Sequence, residues 1–264
     1  ADLAGGRDHP LMSRFAGAQL IGHQTLEFDR ARFYRPGSAA NEIDQDKPVD
    51  VEGRVTRLLY LAPIGKTPLE VHRNHEQALR AAGLKVVAAV DGRRAWWNAG
   101  LHWRANFKDM TLQPPFASDI TPFAGQDDLY LHGTLERQGV PVTVSVLTGP
   151  ASLFARDHVK LGDDRPLAVV AVQVVEGRAM ATGQVTVSAD KLAAGLQAEG
   201  RIALYGIEFD TGRATLRPES TPQLAQMAAL LKAQPALKAA IVGHTDSQGT
   251  LESNLQLSRA RADA

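Results

Sequence analysis

Cysteine is missing from all 264 residues, which excludes disulfides, thiolate metal ligands and a thiol nucleophile, and leaves no cysteine within these residues for lipid attachment. Net charge is missing too: 29 Lys and Arg balance 29 Asp and Glu. No global field therefore recruits nucleic acid or an anionic membrane, and no run of like charge supplies a local one. No apolar run reaches the ~18 residues that a spanning helix needs. The longest, Leu167 to Val175, is broken by Gln173. G-x-S-x-G, P-loop and G-x-G-x-x-G motifs are all absent, as is a carboxylate pair with a defined backbone setting. These absences lead to the expectation of a non-enzyme without cofactor or metal. The chain opens Ala1-Asp2-Leu3-Ala4-Gly5, with neither Met nor an apolar segment, as a mature protein would after removal of a signal peptide.

What is present suffices for two cores, since 44% of the residues are hydrophobic. Around Leu11, Met12 and Phe15 a short helix is expected after Asp8-His9-Pro10. Ala18 to Phe33 reads as extended chain with a turn at Arg35-Pro36-Gly37, and Val51 to Ala62 as a strand. Thr67-Pro68-Leu69-Glu70 is a capping box, predicting a helix to about Ala82 with Val71, His75, Ala78, Leu79 and Ala82 inward and Gly83 as its stop. Leu84 to Val90 follows as a strand. Leu129, Leu131, Gly133 and Leu135 alternate with Tyr130, His132, Thr134 and Glu136, and Gln138-Gly139 turns the chain into a hairpin partner from Val140 to Leu147. Leu167 to Val175 reads as a buried strand.

Two features of this half tempt a chemical reading. His72, His75 and Glu76 have a metal-like spacing, but H-x-x-H-E matches neither H-E-x-x-H nor its inverse, and a hydrogen-bonded core histidine is the commoner outcome. Trp96, Trp97, Trp103 and Phe107 could stack on a glycan, although large aromatics under a loop more often close a core.

The second half has a helix capped by Ser188 and stopped by Gly200, a strand from Ile202 to Phe209, and a helix from Glu219 to Ala233 ended by Pro235. The chain is organised around Ile241 to Arg261. Ala239 to Gly243 is a short apolar run expected as a buried strand, His244-Thr245-Asp246 stands at its end, a turn carries Gly249, and a helix starts near Leu251. At ~100° per residue Asn254, Ser258 and Arg261 share a face, with Arg259 turned ~140° from Asn254 into water. An acid on the turn and an arginine on the adjoining helix suit a zwitterion: the carboxylate accepts an ammonium and the guanidinium grips a carboxylate.

His244-Thr245-Asp246, Gly249, Asn254, Leu257-Ser258 and Arg261-Ala262, with Ile207 to Thr211, Leu216, Pro218-Glu219-Ser220 and Leu224 upstream, together resemble the OmpA-like peptidoglycan-binding domain of bacterial envelope proteins. The resemblance covers Ile202 to Ala262. It implies a periplasmic or outer-membrane-associated protein that binds the diaminopimelate of peptidoglycan stem peptides through Asp246 and Arg261. Asn254, Thr245 and Gln248 would add hydrogen bonds. Two departures stand out. Gly212 replaces a polar side chain frequent in the family, and the family domain normally continues past the helix holding Arg261, whereas this sequence ends at Ala264.

The expected class is α+β in two domains. A mostly β module with at least one helix spans 1–187 and resembles an uncharacterised module preceding wall-binding domains in some Gram-negative envelope proteins. A linker helix at 188–200 leads to an OmpA-like α/β sandwich at 201–264. Peptidoglycan is the expected partner. A hydrolase activity in the first module, or an adaptor role toward another envelope protein, are the competing readings.

Overall fold

The computed structural model describes residues 1–38, 43–91, 102–107, 109–116, 121–125, 127–178, 180, 185–245 and 250–264. The class is α+β. The chain divides into two compact units, Ala1–Met180 and Ala181–Ala264.

The first unit is built on one seven-stranded sheet. Its strands are β1 (Gln19–Pro36), β2 (Ile43–Leu61), β3 (Lys85–Asp91), β4 (Thr111–Leu112), β5 (Leu129–Arg137), β6 (Val140–Pro150) and β7 (Ala168–Glu176), in the order β3-β5-β6-β7-β2-β1-β4. Every pairing is antiparallel. At the β5–β6 turn, Gln138 and Gly139 take φ of 53° and 76°, the pair of left-handed residues that matches the twist of a two-residue hairpin.

Successive side chains point to opposite faces of a strand, and here both faces are covered. Ile21, Leu59, Tyr130, Val169 and Ala171 join Trp103 and Phe107 in one buried cluster. Their neighbours Leu20, Leu58, Leu131, Val170 and Val172 join Val71 and Leu79 of helix α1 (Pro68–Ala81) in another. That is why β7 is nearly all apolar. It also explains β5, where only Thr134 and Glu136 are exposed although the alternation pointed to one wet face. Gln173, the polar break in β7, is fully buried between register partners Arg57 and Ser145; it accepts from Arg57 Nε (3.1 Å) and donates to the Arg32 carbonyl (3.3 Å).

Side chains bring β1 back toward β5, making the sheet barrel-like. The Tyr34 N–H donates to Tyr130 Oη (3.2 Å), and His132 Nδ1 donates to the Tyr34 carbonyl (3.1 Å). Nearby, Asn106 accepts from the Arg32 N–H (2.8 Å) and donates to its carbonyl (3.1 Å), filling the role a neighbouring strand would have.

Helix α1 starts as its capping box requires, with Thr67 Oγ1 accepting from the Glu70 N–H at 3.2 Å. Its buried stripe is Val71, His72, His75, Glu76 and Leu79, with Ala78 and Ala82 exposed contrary to the periodicity. The helix is rotated so that His72 meets Thr148 of β6 (3.0 Å), while Arg73 and Arg80 reach around to hold Glu76. The helix expected near Leu11 is absent: residues 10–11 form a turn and 12–15 are irregular chain. His9 Nδ1 accepts from the Leu11 N–H, and the Asp8 carboxylate takes Arg14 and Tyr60, local bonds that compete with a helix. A short helix, α2 (Leu153–His158), follows β6.

In the second unit, α3 (Ala189–Glu199) is capped by Ser188 and stopped by Gly200 at φ 69°. It is tied to α4 (Thr221–Ala233): the Gln223 side chain bonds both the N–H (2.8 Å) and carbonyl (3.2 Å) of Val187, and Gln226 accepts from the Ala189 N–H. Residues 188–200 thus pack within the second unit. Helix α5 (Leu251–Asp263) closes the chain. The strands expected at Ile202 to Phe209 and Ala239 to Gly243 do not form among the described residues, where one bridge, Phe209 with Leu216, is the only pairing in this unit. A strand needs a neighbour to take its backbone N–H and C=O groups. No described segment plays that part, and Tyr205, Ile241 and Val242 are 79%, 58% and 68% exposed.

Candidate ligand-binding site around Arg261

Two pieces of irregular chain and one helix meet here. The first is the loop 208–217. Bonds from Asp210 N to the Thr215 carbonyl, Arg213 N to the Asp210 carbonyl and Arg217 N to the Glu208 carbonyl close it (3.0, 3.0 and 2.9 Å). Gly212, at φ 66°, takes the left-handed turn that a side chain disfavours. Fully buried Ser220, at the head of α4, anchors the loop, accepting from the Glu208 N–H (2.7 Å) and donating to its carbonyl (3.1 Å).

The second piece is 243–245, on which α5 lies directly. A Cβ added to Gly243 would stand 2.3 Å from the Ser258 carbonyl oxygen, so only glycine lets the two backbones approach this closely. Ser258 Oγ donates to the Gly243 carbonyl across the contact. Thr250 caps α5, accepting from the Ser253 N–H at 3.2 Å.

One turn beyond Ser258, Arg261 is held on three sides. Its Nε donates to the Arg213 carbonyl (3.1 Å) and Nη1 to the His244 carbonyl (3.3 Å). The guanidinium carbon lies 5.0 Å from the centroid of the Phe209 ring. No carboxylate among the described residues forms an ion pair with it. Asn254, Ser258 and Arg261 are half-buried along one face of α5, and Arg259 is exposed. Thr245 is half-buried beside His244. Asp246 and Gln248 lie outside the described residues. The structure thus joins Arg261, Ser258 and the Gly243–His244 backbone on the face that carries Asn254.

Phe209 and the two carbonyls were missed by sequence reasoning. Phe209 is legible as an aromatic beside Asp210 but reads as the end of a strand; carbonyl groups belong to every residue and leave no mark in a sequence.

The other candidates are otherwise engaged. His72, pushed down to about 4 by burial, bonds Thr148, His75 Nδ1 donates to the Val71 carbonyl (2.8 Å), and Glu76 takes Arg73 and Arg80. Trp103 and Phe107 are buried and stacked, centroids 5.7 Å apart. Trp96 and Trp97 lie outside the described residues.

Residues 208–264 match the model of the OmpA family. The OmpA-like segment therefore contains the whole Arg261 site: the loop, the Gly243 contact and α5. The same region is 38% identical over 58 residues to the probable lipoprotein YiaD of Escherichia coli (strain K12). That alignment covers 22% of this chain and 26% of YiaD, so the match spans about a quarter of the relative's length.

Proposed function

We propose that the OmpA-like segment binds peptidoglycan non-covalently and links this protein to the cell wall, on the periplasmic side of the envelope. The observation that carries the reading is Arg261, set on a rigid helix within the family-matched segment with its guanidinium oriented by neutral groups. Such a cation suits a carboxylate ligand, because no described acid neutralises it beforehand.

Diaminopimelate is the ligand that the residue types fit. Arg261 clamps its free carboxylate, Asp246 accepts its ammonium, and Asn254, Thr245 and Gln248 supply further hydrogen bonds. Lysine in the same stem position has the ammonium without the carboxylate, leaving a half-buried guanidinium unpaired, so diaminopimelate walls should be strongly preferred. Modest single-site affinity suffices, since the wall repeats its ligand and avidity does the holding.

Sedimentation with purified sacculi tests the reading. Arg261→Ala or Asp246→Ala should abolish co-sedimentation with diaminopimelate-type wall while the far-ultraviolet circular dichroism stays unchanged. Retention of both variants on the wall would overturn the assignment.

A further inference from the structure

We infer that Phe209 is a positioning residue for wall recognition: its ring, together with the Arg213 and His244 carbonyls, holds the Arg261 guanidinium so that its Nη1–Nη2 edge meets the ligand. This inference rests on the peptidoglycan reading above and adds to it the residue that orients the binding group.

A guanidinium has two faces and five N–H donors. One face is covered by the Phe209 ring, whose negative quadrupole attracts the cation. The Nε donor goes to the Arg213 carbonyl and one Nη1 donor to the His244 carbonyl. Among the described residues no acceptor takes the Nη2 donors. The remaining edge is therefore the Nη1–Nη2 end, a fork matched to the two oxygens of a carboxylate. Without the ring the side chain keeps two single-point tethers to exposed carbonyls, about which it can tilt and swing. The fork then has to be ordered when ligand binds, and that ordering weakens affinity.

Phe209 stays in place through its own loop. It bridges Leu216, and the flanking Glu208 backbone is clasped by buried Ser220. Gly212 makes the tight turn that aims the Arg213 carbonyl back at α5. The Gly212 departure noted in the sequence thus serves the backbone, and Phe209 supplies the side chain beneath the cation.

The experiment uses the whole chain, purified diaminopimelate-type sacculi and free meso-diaminopimelate as probes, with three substitutions. Phe209→Leu keeps apolar bulk and removes the ring, Phe209→Tyr keeps the ring, and Arg261→Lys keeps the charge and removes the fork. Phe209→Leu should weaken wall binding about 3- to 5-fold, the scale of one cation–π contact, with Phe209→Tyr within about twofold of the parent. Arg261→Lys should weaken it by about tenfold or more. By NMR, the Arg261 δ-methylene protons should show an upfield ring-current shift that persists in Phe209→Tyr and vanishes in Phe209→Leu. Full binding by Phe209→Leu, or equal loss in Phe209→Leu and Phe209→Tyr, overturns the positioning role. Undiminished binding by Arg261→Ala instead overturns the peptidoglycan site itself, so the two failures are distinguishable.

Discussion

The two units solve the problem of unpaired backbone in opposite ways. In the first, seven strands satisfy one another, and where β1 runs out of neighbours, Asn106, Tyr130 and His132 stand in with side chains. In the second, α4 and α5 satisfy their own backbones, and two apolar stretches around Tyr205 and Ile241 stay extended, exposed and without a ladder among the described residues. Packing is concentrated in the unit whose sequence carries no recognised chemistry. The recognisable motif sits where a few single contacts, at Gly243, Ser258 and Phe209, decide the geometry. Damage to the sheet should therefore appear as lost stability, and damage around α5 as lost binding.

The largest expected effect tests the first half of that contrast. Phe107→Ala removes a fully buried ring stacked on Trp103 and should destabilise the first unit by about 3–5 kcal/mol in urea unfolding, with wall sedimentation unchanged while the protein stays folded. Loss of sedimentation in a folded Phe107→Ala protein would show that the units do not divide the labour this way. Gly243→Ala should reverse the pattern. Its Cβ is forced against the Ser258 carbonyl, at a cost of about 1–3 kcal/mol in the second unit, and α5 must shift, carrying Arg261 away from Phe209 and His244 and abolishing wall binding.

Smaller effects come with pH, and they arise in the first unit. Asp128 is fully buried, has no hydrogen-bond partner among the described residues for either carboxylate oxygen, and is pushed up to about 8, first by burial and then by Asp127. Its folded pKa lies above its unfolded one, so between about pH 4 and 8 the native state holds the extra proton and stability falls as pH rises. Burial acts the other way on His72 and His102, which are pushed down to about 4 and about 3. Their contribution is present above the unfolded value of about 6.5 and is lost as pH falls through the acid range. Unfolding of the first unit should show a stability maximum near neutrality. Asp128→Asn should remove the decline between neutrality and pH 8 and steepen the rise from about pH 4 to neutrality, by at most about 1.4 kcal/mol per pH unit in each range. An unchanged alkaline limb in that variant would sink the Asp128 assignment. Smallest of all, Thr67→Ala should cost the first unit about 1 kcal/mol by leaving the Glu70 N–H uncapped, without effect on binding.

Sequence reasoning succeeded wherever a signal was local. The Thr67 and Ser188 caps, the Gly200 stop, the Gln138-Gly139 hairpin and the extended chains of β1, β2, β5, β6 and β7 all follow from residues within a few positions of each other. It also placed Arg259 in water and Arg261 on the half-buried face of α5, because helical periodicity is local too. It faltered where an outcome depended on distant chain. The rotation of α1 toward Thr148 and the irregular chain at 10–15 are set by partners far along the sequence or by side-chain bonds with no strong signature. The apolar runs at 202–209 and 239–243 have the composition of strands, but composition cannot furnish a neighbour.

By itself, the sequence determined the α+β class, most element identities, the absence of thiol chemistry and the match to a wall-binding family, because these depend on residue types and short spacings. Only the tertiary structure decided that both sheet faces are buried, that Gln173 is satisfied inside, and that Phe209 and two carbonyls surround Arg261. Those outcomes require groups separated by many residues to meet within a few ångströms, and such meetings are made by packing.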